Sequence, residues 1–124
     1  MGADDRCPFC TEKEDCSHLF ISCGRARSFW SSINLYLASV TDVENLWIVN
    51  PFSEPNQRVR TTLLICVCWN IWKCRNAKVF RSEDEINLHI ASRCRDDLLL
   101  WSNRCSSPSD KAKIIAWSQF FFSG

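Results

Sequence analysis

The sequence predicts an all-α protein, a small helical bundle. Only three glycines and four prolines occur in 124 residues, which disfavours a turn-rich β-sandwich and favours helices. Hydrophobic residues make up 46% of the chain, and six tryptophans and eight phenylalanines suffice for one core. Apolar residues recur every three or four positions along several segments, as they do in amphipathic helices. We therefore expect residues 1–124 to form a single domain.

The first helical pattern covers residues 24–40. Four apolar side chains fall on one stripe of this helix: Phe29, Trp30, Ile33 and Leu37. Two prolines and several turn-forming residues interrupt the pattern between residues 41 and 57. We expect a loop there, or one short helix around Val43–Ile48, with Trp47 and Phe52 packed onto the core.

The strongest helix candidate covers residues 58–80. Its middle, Leu63–Trp72, is apolar on nearly every face, which is typical of a buried central helix. Its end carries four basic residues and no acidic one: Lys73, Arg75, Lys78 and Arg81. The whole chain has a net charge of +1, but residues 58–124 alone carry +5. This helix end is a candidate site for phosphates of RNA or DNA. An ordinary solvated helix terminus is the alternative.

Two further helices are expected after this one. Ser82 and Glu85 have the spacing of a capping box, in which each side chain bonds to the backbone N–H of the other residue, so a helix should follow. Its apolar stripe consists of Ile86, Ile90, Cys94, Leu98 and Trp101. A serine- and proline-rich break at 106–110 ends it. A last short helix is predicted over residues 110–121.

Near the start of the chain, four residues of the types that bind zinc lie close together in sequence: Cys7, Cys10, His18 and Cys23. Their spacing is C-x2-C-x7-H-x4-C. Three thiolates and one imidazole are a ligand set that a structural zinc ion takes in tetrahedral geometry. Leu19, Phe20 and Ile21 lie between ligands and should pack beneath the ion. We therefore expect an amino-terminal zinc knuckle within residues 1–40, followed by the first helix.

Two alternatives to this ligand set remain open. Cys16 lies two residues before His18 and would complete an all-cysteine site in its place, although H-x4-C is the more familiar knuckle spacing. The nine cysteines would instead form disulfides in an oxidising compartment. The start MGADDRC lacks the pattern of a signal peptide, and no run of about 18 apolar residues occurs. We therefore expect an intracellular protein, in the nucleus or cytoplasm and without a membrane span, whose clustered cysteines bind metal.

Two segments carry a family resemblance. The stretch CPFCTEKEDCSHLFISCGRARSFW resembles the zinc-binding region of plant LINE-type (non-LTR) retrotransposon reverse transcriptases, which has CPxC, an acidic stretch, HLFxxC and then a tryptophan. WNIWKCRNAKVF resembles a second, downstream motif of that family. By position, the resemblance assigns the ligands to Cys7, Cys10, His18 and Cys23. The polymerase and an F-x-W-rich segment that precede the motif in the family are missing. The resemblance therefore implies a truncated, retrotransposon-derived zinc region without reverse-transcriptase activity.

These observations together predict a zinc-binding module that also binds RNA or DNA without sequence selectivity. An enzyme is not expected, because the sequence has no phosphate-cradling glycine loop, no serine elbow and no other catalytic set. The alternative is a protein-interaction or scaffold module. A partner or a second copy would then contact the aromatic tail, which consists of Trp117, Phe120, Phe121 and Phe122. A degenerate fragment without a selected function is the remaining alternative.

Overall fold

The protein is described by a computed structural model that covers residues 6–10, 13–35, 37, 40 and 42–120. Within these ranges it is a small helical bundle without a β-sheet, which confirms the all-α prediction. The elements in chain order are a π-helical turn (His18–Ser22), α1 (Gly24–Ser32), α2 (Val43–Val49), α3 (Gln57–Arg81), α4 (Asn87–Ser102) and α5 (Pro108–Phe120). None of the described helices is both long and apolar enough to cross a membrane.

Helix α3 is the centre of the bundle and contacts the π turn, α4 and α5. Its residues Leu63, Leu64 and Val67 are fully buried, as the apolar run predicts. Ile65 and Trp69, however, are 45% and 47% exposed, so one face of this helix reaches solvent. The prediction of a helix buried on nearly every face is therefore too strong, because α3 is covered only where the π turn, α4 and α5 pack on it.

Helix α1 is shorter than the predicted helix over residues 24–40. Its Phe29 and Trp30 are buried as expected. The helix ends because Asn34 adopts a left-handed conformation, with φ 63°, and the N–H of Leu35 turns back to the carbonyl of Trp30 at 2.9 Å. Asparagine tolerates this conformation better than most residues, and it commonly ends helices. A single asparagine thus outweighs the apolar periodicity that continues beyond it.

The predicted capping box at Ser82 and Glu85 is wrong, although the helix that it announced exists. Ser82 is in the left-handed conformation, with φ 53°, and ends α3. The N–H of Ser82 bonds to the carbonyl of Lys78 and the N–H of Glu83 to the carbonyl of Ala77, both at 3.1 Å, so these backbone bonds close the carboxyl terminus of α3. The residue before α4 is Ile86, which offers no side-chain cap and is 65% exposed instead of buried.

The Glu85 carboxylate forms an ion pair with Arg93 of α4 instead of capping the helix. Arg93 donates to both of its oxygens, at 2.8 and 3.0 Å. Arg93 also donates to the side-chain and backbone oxygens of Asn70, which is fully buried in the middle of α3. The amide nitrogen of Asn70 donates in turn to Asp97 at 3.0 Å. A polar network of four side chains therefore joins α3 to α4.

Helix α5 is held by Glu54, which lies in the segment before α3. Its carboxylate accepts hydrogen bonds from the backbone N–H of Asn56 at 2.8 Å, from the indole of Trp117 at 3.0 Å and from Lys113 at 3.1 Å. These contacts, that of Asn56 foremost, lower the pKa of this carboxyl below its usual value of 4.5. Phe52 is buried beside Trp117, as predicted, with the ring edges meeting at a centroid distance of 5.6 Å.

Two aromatic predictions in the remaining segments have different outcomes. Trp47 is 46% exposed on α2, so the prediction that it anchors this segment is wrong, and Leu46 fills that role with its side chain fully buried. In the predicted aromatic tail, Trp117 and Phe120 are half-buried and pack against each other at 5.2 Å. Phe121 and Phe122 lie outside the described residues.

Candidate metal centre

The first two ligand residues lie on a tight turn. Arg6 and Lys13 pair in an antiparallel bridge on either side of it, so the chain reverses direction around Cys7 and Cys10. Within the turn, the backbone N–H of Phe9 points at the Cys7 sulfur, at an N···S distance of 3.5 Å. An N–H directed at sulfur favours the thiolate, which is the form that binds metal.

The other two ligand residues lie at the two ends of the π turn. The N–H of Cys23 bonds to the carbonyl of His18 at 2.8 Å, a bond across five residues that closes a single wide turn. The H-x4-C spacing thus corresponds to one turn of π-helix and not to a turn of α-helix. Such turns are rare and often occur at functional sites.

The four predicted side chains converge on one point. One ligand atom from each of Cys7, Cys10, His18 and Cys23 lies within 4.8 Å of every other. The sulfurs of Cys7 and Cys23 are 3.6 Å apart, and the Cys10 sulfur is 3.1 Å from Nε2 of His18. A tetrahedral zinc ion, with bonds of about 2.3 Å to sulfur and about 2.0 Å to nitrogen, separates its ligand atoms by about 3.5–3.8 Å. Small movements would therefore seat a metal ion.

Burial affects the protonation state of the cluster. Cys7 and Cys23 are 3% and 2% exposed, whereas Cys10 and His18 are half-buried. Burial, together with hydrogen bonding to Cys23 and against the opposing effect of the Phe9 N–H, raises the pKa of the Cys7 thiol to about 12. Without a cation this thiol is therefore protonated at neutral pH. A divalent ion would stabilise the thiolate and release its proton.

The structure separates His18 from its competitor Cys16. Cys16 is exposed and does not belong to the cluster, whereas His18 does. All nine cysteines are free thiols, so the alternative of a disulfide framework has no support in the structure. The structure therefore brings together the four residues that the sequence pattern indicated.

Apolar residues support the π turn from below, as predicted. Leu19 and Ile21 are 7% and 4% exposed and join the core. The indole N–H of Trp30 donates to the carbonyl of Phe20 at 2.9 Å, which ties α1 to the turn. The carbonyl groups of a π turn are poorly satisfied by regular helix bonding, so this indole supplies a needed donor.

Two acidic residues in the spacer between Cys10 and His18 hold the cluster in place, and sequence reasoning gave neither a role. Asp15 accepts the backbone N–H of His18 on its side chain at 2.7 Å and that of Leu19 on its carbonyl at 2.8 Å. Glu14 forms an ion pair with Arg75 of α3, with a shortest distance of 2.6 Å. The signal for the second contact was an acidic spacer and a basic helix end far along the chain.

The basic residues predicted to contact nucleic acid occupy different environments. Arg75 is only 11% exposed and binds Glu14. Lys78 pairs with Asp84 at 2.8 Å, and Arg81 pairs with Glu83 at 2.9 Å. Lys73 lies over the ring of the exposed Trp69, 5.4 Å from its centroid. Acidic residues that are close in space therefore compensate the charges of three of these four basic residues. Nucleic-acid binding stays a prediction.

The remaining buried thiols belong to the core. Cys66 and Cys94 face each other between α3 and α4 and are fully buried. Hydrogen bonding with Cys94, together with burial, raises the pKa of the Cys66 thiol. Burial likewise raises the pKa of Cys68 to about 12. The Cys66 and Cys68 thiols therefore remain protonated and act as small apolar side chains.

In comparisons with known proteins, no family model, no curated protein and no solved structure matched this chain. The function is therefore argued from the geometry of the cluster.

Proposed function

We propose that Cys7, Cys10, His18 and Cys23 bind one Zn²⁺ ion and that this ion fixes the knuckle, residues 6–23, on the helical bundle. The observation that carries the proposal is the convergence of four ligand atoms to within 4.8 Å of one another. Cys7 and Cys23, whose sulfurs are 3.6 Å apart, are separated by 16 positions in the sequence. Cys10 and His18, at 3.1 Å, are separated by 8 positions, so the convergence is a result of folding.

The chemistry of the donors favours zinc over other biological cations. Thiolate and imidazole ligands suit zinc, whereas magnesium and calcium prefer oxygen. Four protein ligands close the tetrahedral coordination shell, so no position is left for a water molecule or a substrate. The role we propose is accordingly structural, and catalysis is not part of it.

We further propose that the module derives from a retrotransposon reverse transcriptase. The resemblance rests on two motifs that lie far apart in sequence. In support, the two motif segments touch each other, because Glu14 of the first binds Arg75 of the second. A shared contact would explain why the two motifs occur together.

Binding of RNA or DNA is a second candidate function, and one observation favours it. Trp69 is 47% exposed, and the ammonium group of Lys73 lies over its ring. An exposed aromatic ring beside a cation is a platform on which single-stranded bases stack. Loss of oligonucleotide binding in Trp69→Ala, together with an affinity that falls steeply with salt, would support this candidate. A flat salt response would argue against it.

The decisive experiment for the zinc site is native mass spectrometry with metal analysis of the wild type and Cys23→Ser. We expect one zinc ion per chain in the wild type and none in the variant. Cys16→Ser is the matched control, because its thiol is exposed and outside the cluster. It should retain one zinc ion. A wild type without zinc, or a Cys16→Ser variant that loses it, would contradict the assignment.

A further inference from the structure

We infer that Arg75 is a positioning residue for the metal site, acting through Glu14 and Asp15 on His18. The inference rests on the proposed zinc site and assigns it a residue 52 positions beyond its last ligand, which the sequence pointed toward nucleic acid. It also explains why a basic side chain on α3 is turned away from solvent.

The first step connects His18 to the spacer that precedes it. The backbone N–H of His18 donates to the Asp15 carboxylate at 2.7 Å, and the next N–H along the chain, that of Leu19, donates to the Asp15 carbonyl at 2.8 Å. Asp15 thus fixes where the π turn begins, and His18 is its first residue. The position of Nε2 relative to the Cys10 sulfur depends on that starting point.

The second step connects the spacer to α3. The guanidinium of Arg75 donates from Nε and Nη2 to the Glu14 carboxylate, with distances of 3.0, 3.2 and 2.6 Å. The side chains are 11% and 12% exposed, so both charges are largely removed from water. The relative positions of two such paired charges are tightly constrained, because any other arrangement leaves one of them buried and uncompensated.

The third step shows that Arg75 itself is held rigidly. Its guanidinium lies over the ring of Trp72, 5.1 Å from the centroid, and Nη1 donates to the side chain of Asn76 at 3.2 Å. Ring, amide and carboxylate together use the planar donor fork of arginine, which lysine cannot reproduce. Arg75 therefore gives the spacer a fixed reference point on the longest helix of the protein.

The consequence is a change in metal affinity without a change in the ligands. Groups that orient metal ligands typically contribute about 10- to 100-fold in metal affinity. Because Arg75 acts through the adjacent spacer residue, we expect Arg75→Met and Glu14→Gln each to weaken zinc binding about 10-fold. The double variant should bind zinc about as tightly as either single variant, since both substitutions break the same contact.

The test measures zinc affinity of the full chain by competition with a chromophoric chelator. Arg81→Met is the matched control, since it removes an arginine from the same helix whose ion pair is exposed and involves no knuckle residue. Its zinc affinity should equal that of the wild type within about twofold. Arg75→Lys should remain weakened, and the exchanged pair Glu14→Arg with Arg75→Glu should regain part of the lost affinity.

Three readouts separate positioning from general stability and from failure of the zinc proposal. Circular dichroism should show unchanged helix content in Glu14→Gln, whose residue lies outside the helices. The absorption bands of bound Co²⁺ should shift if the His18 geometry relaxes. If the Arg75→Met and Arg81→Met variants both bind zinc with the affinity of the wild type, this inference is overturned and the proposed metal site stands. Absence of zinc from the wild type would overturn both.

Discussion

The ligand segment, residues 6–23, and the α3–α4 interface are held together by opposite means. The interface encloses fully buried apolar residues such as Leu64 and Leu98, and its polar network satisfies each buried charge. In the ligand segment, a short turn and one π turn bring three thiols and an imidazole to within 4.8 Å of one another. The interface is complete with protein atoms alone, whereas the ligand segment has the form of a site that an added cation completes.

The difference arises from how much apolar surface each region buries. Side chains of α3 and α4 cover one another over several helical turns, and each fully buried leucine contributes about 1.5–3 kcal/mol. The ligand segment contributes few large side chains to the core, chiefly Leu19 and Ile21. Segments with so little buried surface are generally ordered by metals or disulfides.

Removal of the metal with a chelator should unfold the ligand segment and spare the bundle. Structural zinc contributes about 10–16 kcal/mol of binding free energy at neutral pH in small domains, and that energy is folding energy. Hydrogen exchange should show lost protection at the π turn (His18–Ser22), with protection retained in α3 and α4. Cooperative loss of both would show that the two regions do not differ as described.

Substitution of Arg93 by methionine should destabilise the bundle by about 3–5 kcal/mol, because it leaves Glu85 buried and unpaired. Urea denaturation followed by circular dichroism measures this change. Zinc affinity of the folded protein should remain within about twofold of the wild type, since Arg93 belongs to the α3–α4 interface and has no contact with the ligands. A large loss of zinc affinity would mean that the regions are coupled through α3.

Acidification should destabilise the bundle at pH values below those at which an ordinary glutamate carboxyl titrates. Burial opposes ionisation of Glu85, but the hydrogen bonds and charge of Arg93 outweigh it and lower the pKa of this carboxyl below 4.5. The stabilisation from the ionised form is complete above pH 4.5 and is lost as the pH falls through the lowered pKa. Glu54 acts in the same direction.

The measurement for this prediction is the urea midpoint of chelator-treated protein between pH 7 and pH 3, so that protonation of metal ligands does not contribute. Glu85→Gln should show a shallower decline than the wild type. Glu83→Gln, whose carboxylate is 53% exposed, is the matched control and should follow the wild-type curve. An equally steep decline in Glu85→Gln would contradict the role given to this residue.

Substitution of Arg81 by methionine should have the smallest effect, at most about 0.5 kcal/mol. Its ion pair with Glu83 is more than half exposed on both sides, and such pairs contribute little in water. Urea denaturation under the conditions used for Arg93→Met gives a direct comparison of a surface arginine with a buried one. Equal losses would show that burial does not decide the strength of these pairs.

Local patterns in the sequence were sufficient for much of this structure. The four residues whose ligand atoms converge were picked out from the sequence, because the residue types that bind zinc and their spacing are themselves local information. Helices α3 and α5 were located within a few residues, because apolar periodicity and the prolines around them are also local. The short helix α2 was found for the same reason.

Other features depended on competition between local signals. Ser82 had the side chain of a helix start, yet its left-handed backbone ends α3, and only the packing of α4 decides between the two. The first helix stops before Asn34, although its apolar pattern continues. In both places two local preferences were available to the same residue, and neither could be ranked from the sequence.

By itself, the sequence determined the fold class and indicated the four residues that converge, because helix periodicity and ligand chemistry are properties of neighbouring residues. Only the tertiary structure decided the partners of the charged side chains. Arg75 meets Glu14 across 61 positions, and Arg93 links Glu85 to the buried Asn70. Such pairings follow from which helix faces meet and how far water is excluded between them, and no local pattern carries that information.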